Sequence, residues 1–404
     1  MIDVADIEAA RQRLGGAIYL SPCAHSVTFS KLTGLETYFK LENLQMTGSF
    51  KERGSLNKLL QLSGEERARG VIAASAGNHA QGVAYHATRL GIAATIVMPE
   101  STPLIKIVCT REYGGTVVLY GEDYDAAYAE ARRRAEADGL TFVHAFDDPA
   151  IIAGQGTIGL ELCEQVPDLE AVVVPVGGGG LASGVACAVK ARRPKALVVG
   201  VQSAACPSAR AALDAGAPVV MPASTTIADG IAVRRIGDQT LPMLDAYVDE
   251  IVTVDEEEIA NAILLLLERE KTVVEGAGAV AVAAVLNQRI ELPLGHRTAL
   301  VVSGGNIDVN ILSRVIERGL AKDARLVRLE VKLTDRPGSL HKLVGLIAEQ
   351  RANILHIAHS RAFGGANLGE TIVEITLEAR GPDHAKSILA ALRTAGYEHR
   401  RHHA

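Results

Sequence analysis

Residues 171–184 read AVVVPVGGGGLASG, and their reading decides the fold. The apolar run ahead of the glycines does not alternate with polar residues. Such a run suits a strand covered on both faces, as in a parallel sheet. Gly177, Gly178, Gly179 and Gly180 then break the strand, and the small apolar residues after Leu181 suit a helix. Unhindered backbone N–H groups at the start of a helix make an anion site, so this strand–turn–helix unit reads as a phosphate cradle. It is not G-x-x-x-x-G-K-[ST], which disfavours a P-loop. It also lacks G-x-G-x-x-G with an acid about 20 residues on, which weakens a dinucleotide site. Residues 171–189 carry no charge, but four glycines interrupt them, so they read as strand, loop and helix and not as a membrane span.

Working outward, short β-branched runs alternate with Ala-rich helical segments. Strands are expected at 71–74, 94–98, 116–119, 197–202, 251–254 and 298–302, with helices at 79–90 and 124–137. Strand–helix alternation argues an α/β fold, a parallel sheet with helices on both faces. A helix over 255–271 begins on an Asp cap and a Glu-rich first turn. The pattern changes at 319–328, GLAKDARLVR, which is charged and has no clear period. After it come a strand at 327–333, a turn and helix from DRPGSL to about 350, strands at 354–360 and 371–377, a helix at 383–395 and a last strand at 397–401. That β-α-β-β-α-β order is ferredoxin-like. The expected division is a catalytic domain over 1–322, with a small subdomain of about 53–150 inserted, and a small α+β domain over 326–404.

Composition narrows the function. Hydrophobic residues make up 48% of the 404 and charged residues 22%, a globular balance. The net charge of −6 gives no electrostatic reason to bind nucleic acid or an anionic membrane. The five cysteines are scattered with no C-x-x-C pair, and the N-terminus starts as an amphipathic helix without an apolar signal region, so a reducing, cytoplasmic setting is expected.

Three further constellations carry chemistry. Thr47-Gly48-Ser49-Phe50-Lys51 places a lysine after a glycine turn; alone it reads as a solvated surface lysine, and as a nucleophile only if its surroundings favour the neutral amine. Ser75, Ala76, Gly77, Asn78 and His79 lie between a strand and a helix, where backbone amides suit a carboxylate or phosphate and Asn78 can cap the helix or donate to a ligand. Ser303-Gly304-Gly305-Asn306 follows the strand at 298–302 and alone reads as a tight turn. All four sit in turns or at strand ends, where open α/β sheets bind ligands.

Together TGSFKERG (47–54), ASAGNHAQGVA (74–84), VPVGGGGLASG (174–184) and VVSGGN (301–306) resemble the fold-type II pyridoxal-phosphate (PLP) enzymes, and among them the threonine dehydratases, or threonine/serine ammonia-lyases. The resemblance spans about residues 5–320, with the four motifs in family order. LTDRPGSLHKLVGLIAEQRANI (333–354) and GETIVEITLEARG (369–381) resemble an ACT domain, a ferredoxin-like module that binds small effectors, often amino acids. The resemblance implies two parallel-sheet subdomains and assigns roles. Lys51 would hold PLP covalently and take the Cα proton. Phe50 would pack beside the cofactor and Asn78 would bond its 3-oxygen. Gly177, Gly178, Gly179, Gly180 and Leu181 would hold its phosphate, and Ser303 would face its ring nitrogen. Ser75, Ala76, Gly77, Asn78 and His79 would take the substrate carboxylate. The implied catalytic pair is Lys51 and Ser303.

The implied reaction is deamination of L-threonine to 2-oxobutanoate and of L-serine to pyruvate, serving isoleucine biosynthesis or catabolism, under allosteric control by the ACT domain. Asp335, Pro337, Gly338, Asn353 and Ile354 match positions where ACT domains often bind effectors, although Pro337 and Gly338 suit a turn in either case. In similar serine racemases a serine matching Ala76 gives a proton to Cα, and an alanine has none to give. Related racemases also hold a divalent metal through carboxylates in the segment matching 202–208, which here reads QSAACPS without an acid, so no metal is expected. The alternatives are a serine racemase or another fold-type II enzyme, a nicotinamide oxidoreductase, and a catalytically silent amino-acid sensor. Related proteins commonly pair through ACT sheets, which implies a homo-oligomer, dimer or tetramer.

Overall fold

A computed structural model describes residues 1–360 and 367–402. It divides into two compact units, Met1–Ile307 and Asp308–Ala404.

The first unit holds two sheets. The larger has six strands in the order Cys23–His25, Glu36–Leu41, Arg297–Val302, Ala171–Pro175, Leu197–Ser203, Glu250–Val254. All neighbours run parallel except the short edge strand Cys23–His25. Every residue of Ala171–Pro175 is buried, as the unalternating run requires. Val172, Val174 and Val176 pack with Leu181, Val185 and Val189 of the following helix. The smaller sheet is fully parallel, in the order Thr116–Leu119, Ala94–Met98, Val71–Ala74, Thr141–Phe142. Separate apolar clusters cover its two faces, one built on Val71 and Ile96 and the other on Ile72 and Val97.

The second unit is an antiparallel sheet in the order Asn353–Ser360, Glu370–Glu378, Leu326–Thr334, His399–His402. Burial alternates along the central strands, placing Leu329, Val331, Val373 and Ile375 against the helices Ser339–Glu349 and Pro382–Thr394. This is the ferredoxin-like arrangement with the first strand central.

Three local expectations change. Lys51 does not lie in a loop; it opens the helix Lys51–Leu60. The helix expected over 255–271 starts as read, with a reciprocal Asp255–Glu258 capping box, but ends at Leu265. Leu266–Glu270 then winds as a π turn, and Lys271 closes it in the left-handed region at φ 58°. The stretch 319–328 is no loose linker: the helix Val309–Lys322 runs into it and the strand Leu326–Thr334 leaves it. A single glycine, Gly319, costs a helix only about 1 kcal/mol, and no proline stops it.

One buried ion network positions the helix of Lys51. Arg53 is 1% exposed and donates from Nε and Nη2 to both oxygens of Glu42, each at 2.8 Å. Its Nη1 and Nη2 also reach Glu161 on the helix Pro149–Gln165, at 2.5 and 2.9 Å. Lys40 completes the set, giving Nζ to Glu161 at 2.6 Å and to the Ser21 carbonyl at 2.8 Å. Burial alone would raise the Glu42 carboxyl, but Arg53, Lys40 and Ser21 hold it below the usual carboxylate value. Arg53→Ala leaves Glu42 buried and unpaired, and is expected to cost about 3–5 kcal/mol. Arg11→Ala, whose pair with Glu164 is exposed, should cost less than about 1 kcal/mol. Midpoints of denaturant unfolding check this, and equal shifts in the two variants would contradict it.

Candidate active site

The segment around residues 48–50 zips onto the turn after the strand Arg297–Val302. Ser49 and Gly304 form an antiparallel bridge, Phe50 N–H donates to the Ser303 carbonyl at 3.1 Å, and Gly305 N–H donates to the Gly48 carbonyl at 2.9 Å. These bonds bring Lys51 and Ser303 to one place although about 250 residues separate them. Asn78 joins them. It is the first residue of the helix Asn78–Arg89 and does not cap it; Gly77 stands at the cap. Its Oδ1 accepts from Asn306 Nδ2 at 2.7 Å, and its Nδ2 donates to Glu275 Oε1 at 2.7 Å.

Lys51 is half-buried and its Nζ donates to the Ala145 carbonyl at 2.9 Å, with the Phe50 ring centroid 5.1 Å away. Burial pushes its ammonium down to about 8, and the Glu275 carboxylate only partly offsets this. The positive end of its own helix acts in the same direction. Two histidines nearby stay neutral. His79 Nε2 meets the Val143 carbonyl at 2.9 Å, so that nitrogen carries the proton; burial first, then the Lys51 charge, push its pKa down to about 3. His144 Nδ1 accepts from the Phe146 and Asp147 amides, and burial lowers its pKa as well.

The glycine run opens the helix Gly180–Arg192. Gly179 sits at φ 97°, a conformation that favours glycine, and Thr240 Oγ1 donates to the Gly178 carbonyl at 2.7 Å, fixing the turn. Leu181 packs into the core. First-turn amides of such a helix have no helical acceptor, and here no side chain caps them. Ser303 is 2% exposed, and Thr47 Oγ1 and Ser49 Oγ nearby are buried without a hydrogen-bond partner among the described residues.

The expected carboxylate loop is split in its side chains. Ser75 Oγ accepts from Gly77 N–H at 3.2 Å, Ala76 packs against the smaller sheet's core, and the His79 imidazole is committed to Val143. What this loop offers a ligand is therefore its backbone, the Ser75 O–H and Asn78. In the second unit, a cavity of about 320 Å³ is lined by Thr334, Asp335, Arg336, Pro337, Gly338 and His359 among others. Asn353 and Ile354 do not line it: Asn353 contacts Glu378 at 3.4 Å and Ile354 packs on the sheet's core.

Sequence reading missed Glu275. It precedes Gly276–Leu286, a helix buried from its first residue to Val285, and its side chain makes no cap bond. That context was the available signal, because an acid opening a wholly apolar helix is carried into the interior with it. Burial first, then the Asp229 charge, raise its pKa to about 7, while Asn78, Lys106 and the Asn306 amide pull it back.

A lysine ammonium lowered toward neutrality, a capless buried helix start, buried hydroxyls without partners and an amide with one N–H to spare fit a cofactor that carries an aldehyde, a phosphate and a ring nitrogen. No helix among the described residues is long and apolar enough to cross a membrane. The family model for pyridoxal-phosphate dependent enzymes matches residues 15–304, and that for the ACT domain matches residues 327–394. The chain is 51% identical to an L-threonine ammonia-lyase of Thermotoga maritima, over 98% of this chain and 99% of that relative. Among solved structures it resembles a processed threonine deaminase isoform 2 of Solanum lycopersicum, with TM-score 0.73 and 39% identity over 78% of this chain and 91% of the other. Maize serine racemase aligns with TM-score 0.74 and 33% identity, over 79% and 98%.

The neutral amine is the reactive form, so cofactor-stripped protein should take up PLP faster as pH rises, with a midpoint near 8, the pKa of Lys51. Stopped-flow absorbance checks this. A midpoint near the ordinary lysine value of about 10.4 would contradict it.

Proposed function

The chain belongs to the pyridoxal-phosphate dependent enzymes, with an ACT domain after the catalytic part, and from that premise we propose that it deaminates L-threonine to 2-oxobutanoate and ammonia. The reading extends to L-serine, giving pyruvate, and to a homo-oligomer that works in the cytoplasm under amino-acid control. The observation that supports it is the pairing of residues 48–50 with 303–305, beside Asn78, which is bonded to Asn306 and Glu275.

Bound PLP supplies an electron sink for the pair left when the α-carbon loses its proton. The residues do the rest. Lys51 holds the cofactor, and once free its amine takes the α-proton. The helix start at Gly177, Gly178, Gly179, Gly180 and Leu181 would take the phosphate, with Phe50 beside the ring. Ser303 would offer the ring nitrogen a neutral hydroxyl. A carboxylate there would keep that nitrogen protonated and favour long-lived charge on the ring; a hydroxyl favours rapid departure of the β-hydroxyl. The backbone from Ser75 to His79, through Ala76, Gly77 and Asn78, takes the substrate carboxylate. The proton taken from the α-carbon and the departing hydroxyl together make one water, and one water is taken up when the product hydrolyses to 2-oxobutanoate and ammonia, so atoms balance.

The serine racemase likeness raises a second reading, and Ala76 opposes it. Its methyl group has no proton to give the far face of Cα. The ACT cavity at Asp335, Pro337 and Gly338 is read as the effector site, with Asn353 and Ile354 contributing only through the strand they open.

Purified protein should form 2-oxobutanoate from L-threonine, and Lys51→Ala should abolish both this and the bound-cofactor absorbance. A fully active Lys51→Ala variant would sink the assignment. D-serine should form from L-serine far more slowly than pyruvate, and Ala76→Ser should narrow the gap; chiral chromatography decides, and comparable wild-type rates would reverse the reading. Isoleucine, leucine or valine should shift the kinetics of the full chain and not of a chain ending at Lys322. Identical responses would defeat the regulatory role.

A further inference from the structure

We propose that Glu275 is a positioning residue of the cofactor site, fixing the Asn78 amide so that its remaining N–H faces the cofactor. This rests on reading Asn78 as a cofactor contact. Glu275 is 5% exposed, and its carboxyl accepts from the Asn78 amide at 2.7 Å. An amide side chain can bind either way round unless its partners discriminate between oxygen and nitrogen. Here they do, and the discrimination is anchored at both ends. The Thr47 carbonyl can only accept, so Asn306 must point Nδ2 at it, at 2.8 Å. The same Nδ2 gives its second hydrogen to Asn78 Oδ1 at 2.7 Å. With its Oδ1 held by Asn306, Asn78 must then turn Nδ2 toward Glu275, whose Oε1 accepts from it.

The chain of bonds from Thr47 through Asn306 and Asn78 to Glu275 therefore has one direction. Reversing Asn78 would set two oxygens against each other at Glu275 and two N–H groups against each other at Asn306. One hydrogen of Asn78 Nδ2 goes to Glu275, and the other is left for the cofactor. The backbone is shaped for this contact. A Cβ at Gly304 would collide with Glu275 Oε1 and come within 3.1 Å of Asn78 Nδ2. Glu275 N–H is itself fixed to the Gly304 carbonyl at 3.1 Å.

The test uses the full-length holoenzyme and reads the PLP dissociation constant and the visible absorbance band. Glu275→Ala should weaken PLP binding about tenfold, the size of one hydrogen bond to a charged group, and shift the band. Glu275→Gln, which keeps an acceptor oxygen, should stay within about threefold of wild type by the same measure. Asn78→Ala should lose at least as much as Glu275→Ala, and adding Glu275→Ala to it should change nothing further. Wild-type binding in Glu275→Ala, or losses that add in full in the double variant, would overturn the proposal. If Glu275→Ala fails to fold, a tenfold loss in Glu275→Gln overturns it instead. Undiminished binding in Asn78→Ala would overturn the reading of Asn78 itself, a separate failure. None of these outcomes depends on which amino acid is the substrate.

Discussion

The guanidinium of Arg53, buried between Glu42 and Glu161, is the constraint on which the site depends. It lies two residues after Lys51 on the same helix, so whatever holds Arg53 also holds the first turn of that helix. Glu42 opens the 3₁₀ turn Glu42–Leu44 that follows the strand Glu36–Leu41, and Glu161 comes from the helix Pro149–Gln165. Lys40 shares Glu161 from the same strand. Burying such charges is expensive, and the desolvation is offset only because nearly every donor meets an acceptor. A network of that kind is directional in a way that an apolar contact is not. It sets where the Lys51 helix begins, and so where the amine sits.

The electrostatics around Lys51 follow from the same economy. Positive charge there is discouraged by burial and by the helix start, and both neighbouring histidines stay neutral. Behind Asn78 stands a buried carboxyl, Glu275, whose charge burial also discourages. The site is thus arranged for an electrically modest environment around a ring that must accept an electron pair briefly. The neutral hydroxyl of Ser303 belongs to that arrangement.

Much of this was legible in the sequence where the signal is local. Ala171–Pro175 and the four glycines declare a strand, a turn and a helix within one short window, and the ferredoxin-like tail declares itself by alternation along Leu326–Thr334 and Glu370–Glu378. What was illegible depends on distant partners. Nothing near Lys51 says that it opens a helix, because the pairing of residues 48–50 with 303–305 fixes that turn. Glu275 reads as one more surface acid until its helix is seen to be buried, and its partner Asn78 is 197 residues away. The helix expected over 255–271 ends early because its π turn leaves no mark in apolar period. Resemblance groups Asn353 and Ile354 with Asp335, whereas strand pairing directs them elsewhere.

The proposed reaction requires Lys51 to be the covalent anchor of the cofactor. Borohydride trapping of the holoenzyme followed by peptide mass mapping tests this most directly. The reduced cofactor should be found on the peptide containing Lys51 and at stoichiometric yield. A trapped cofactor on another lysine, such as Lys58 or Lys106, or none at all, would contradict it.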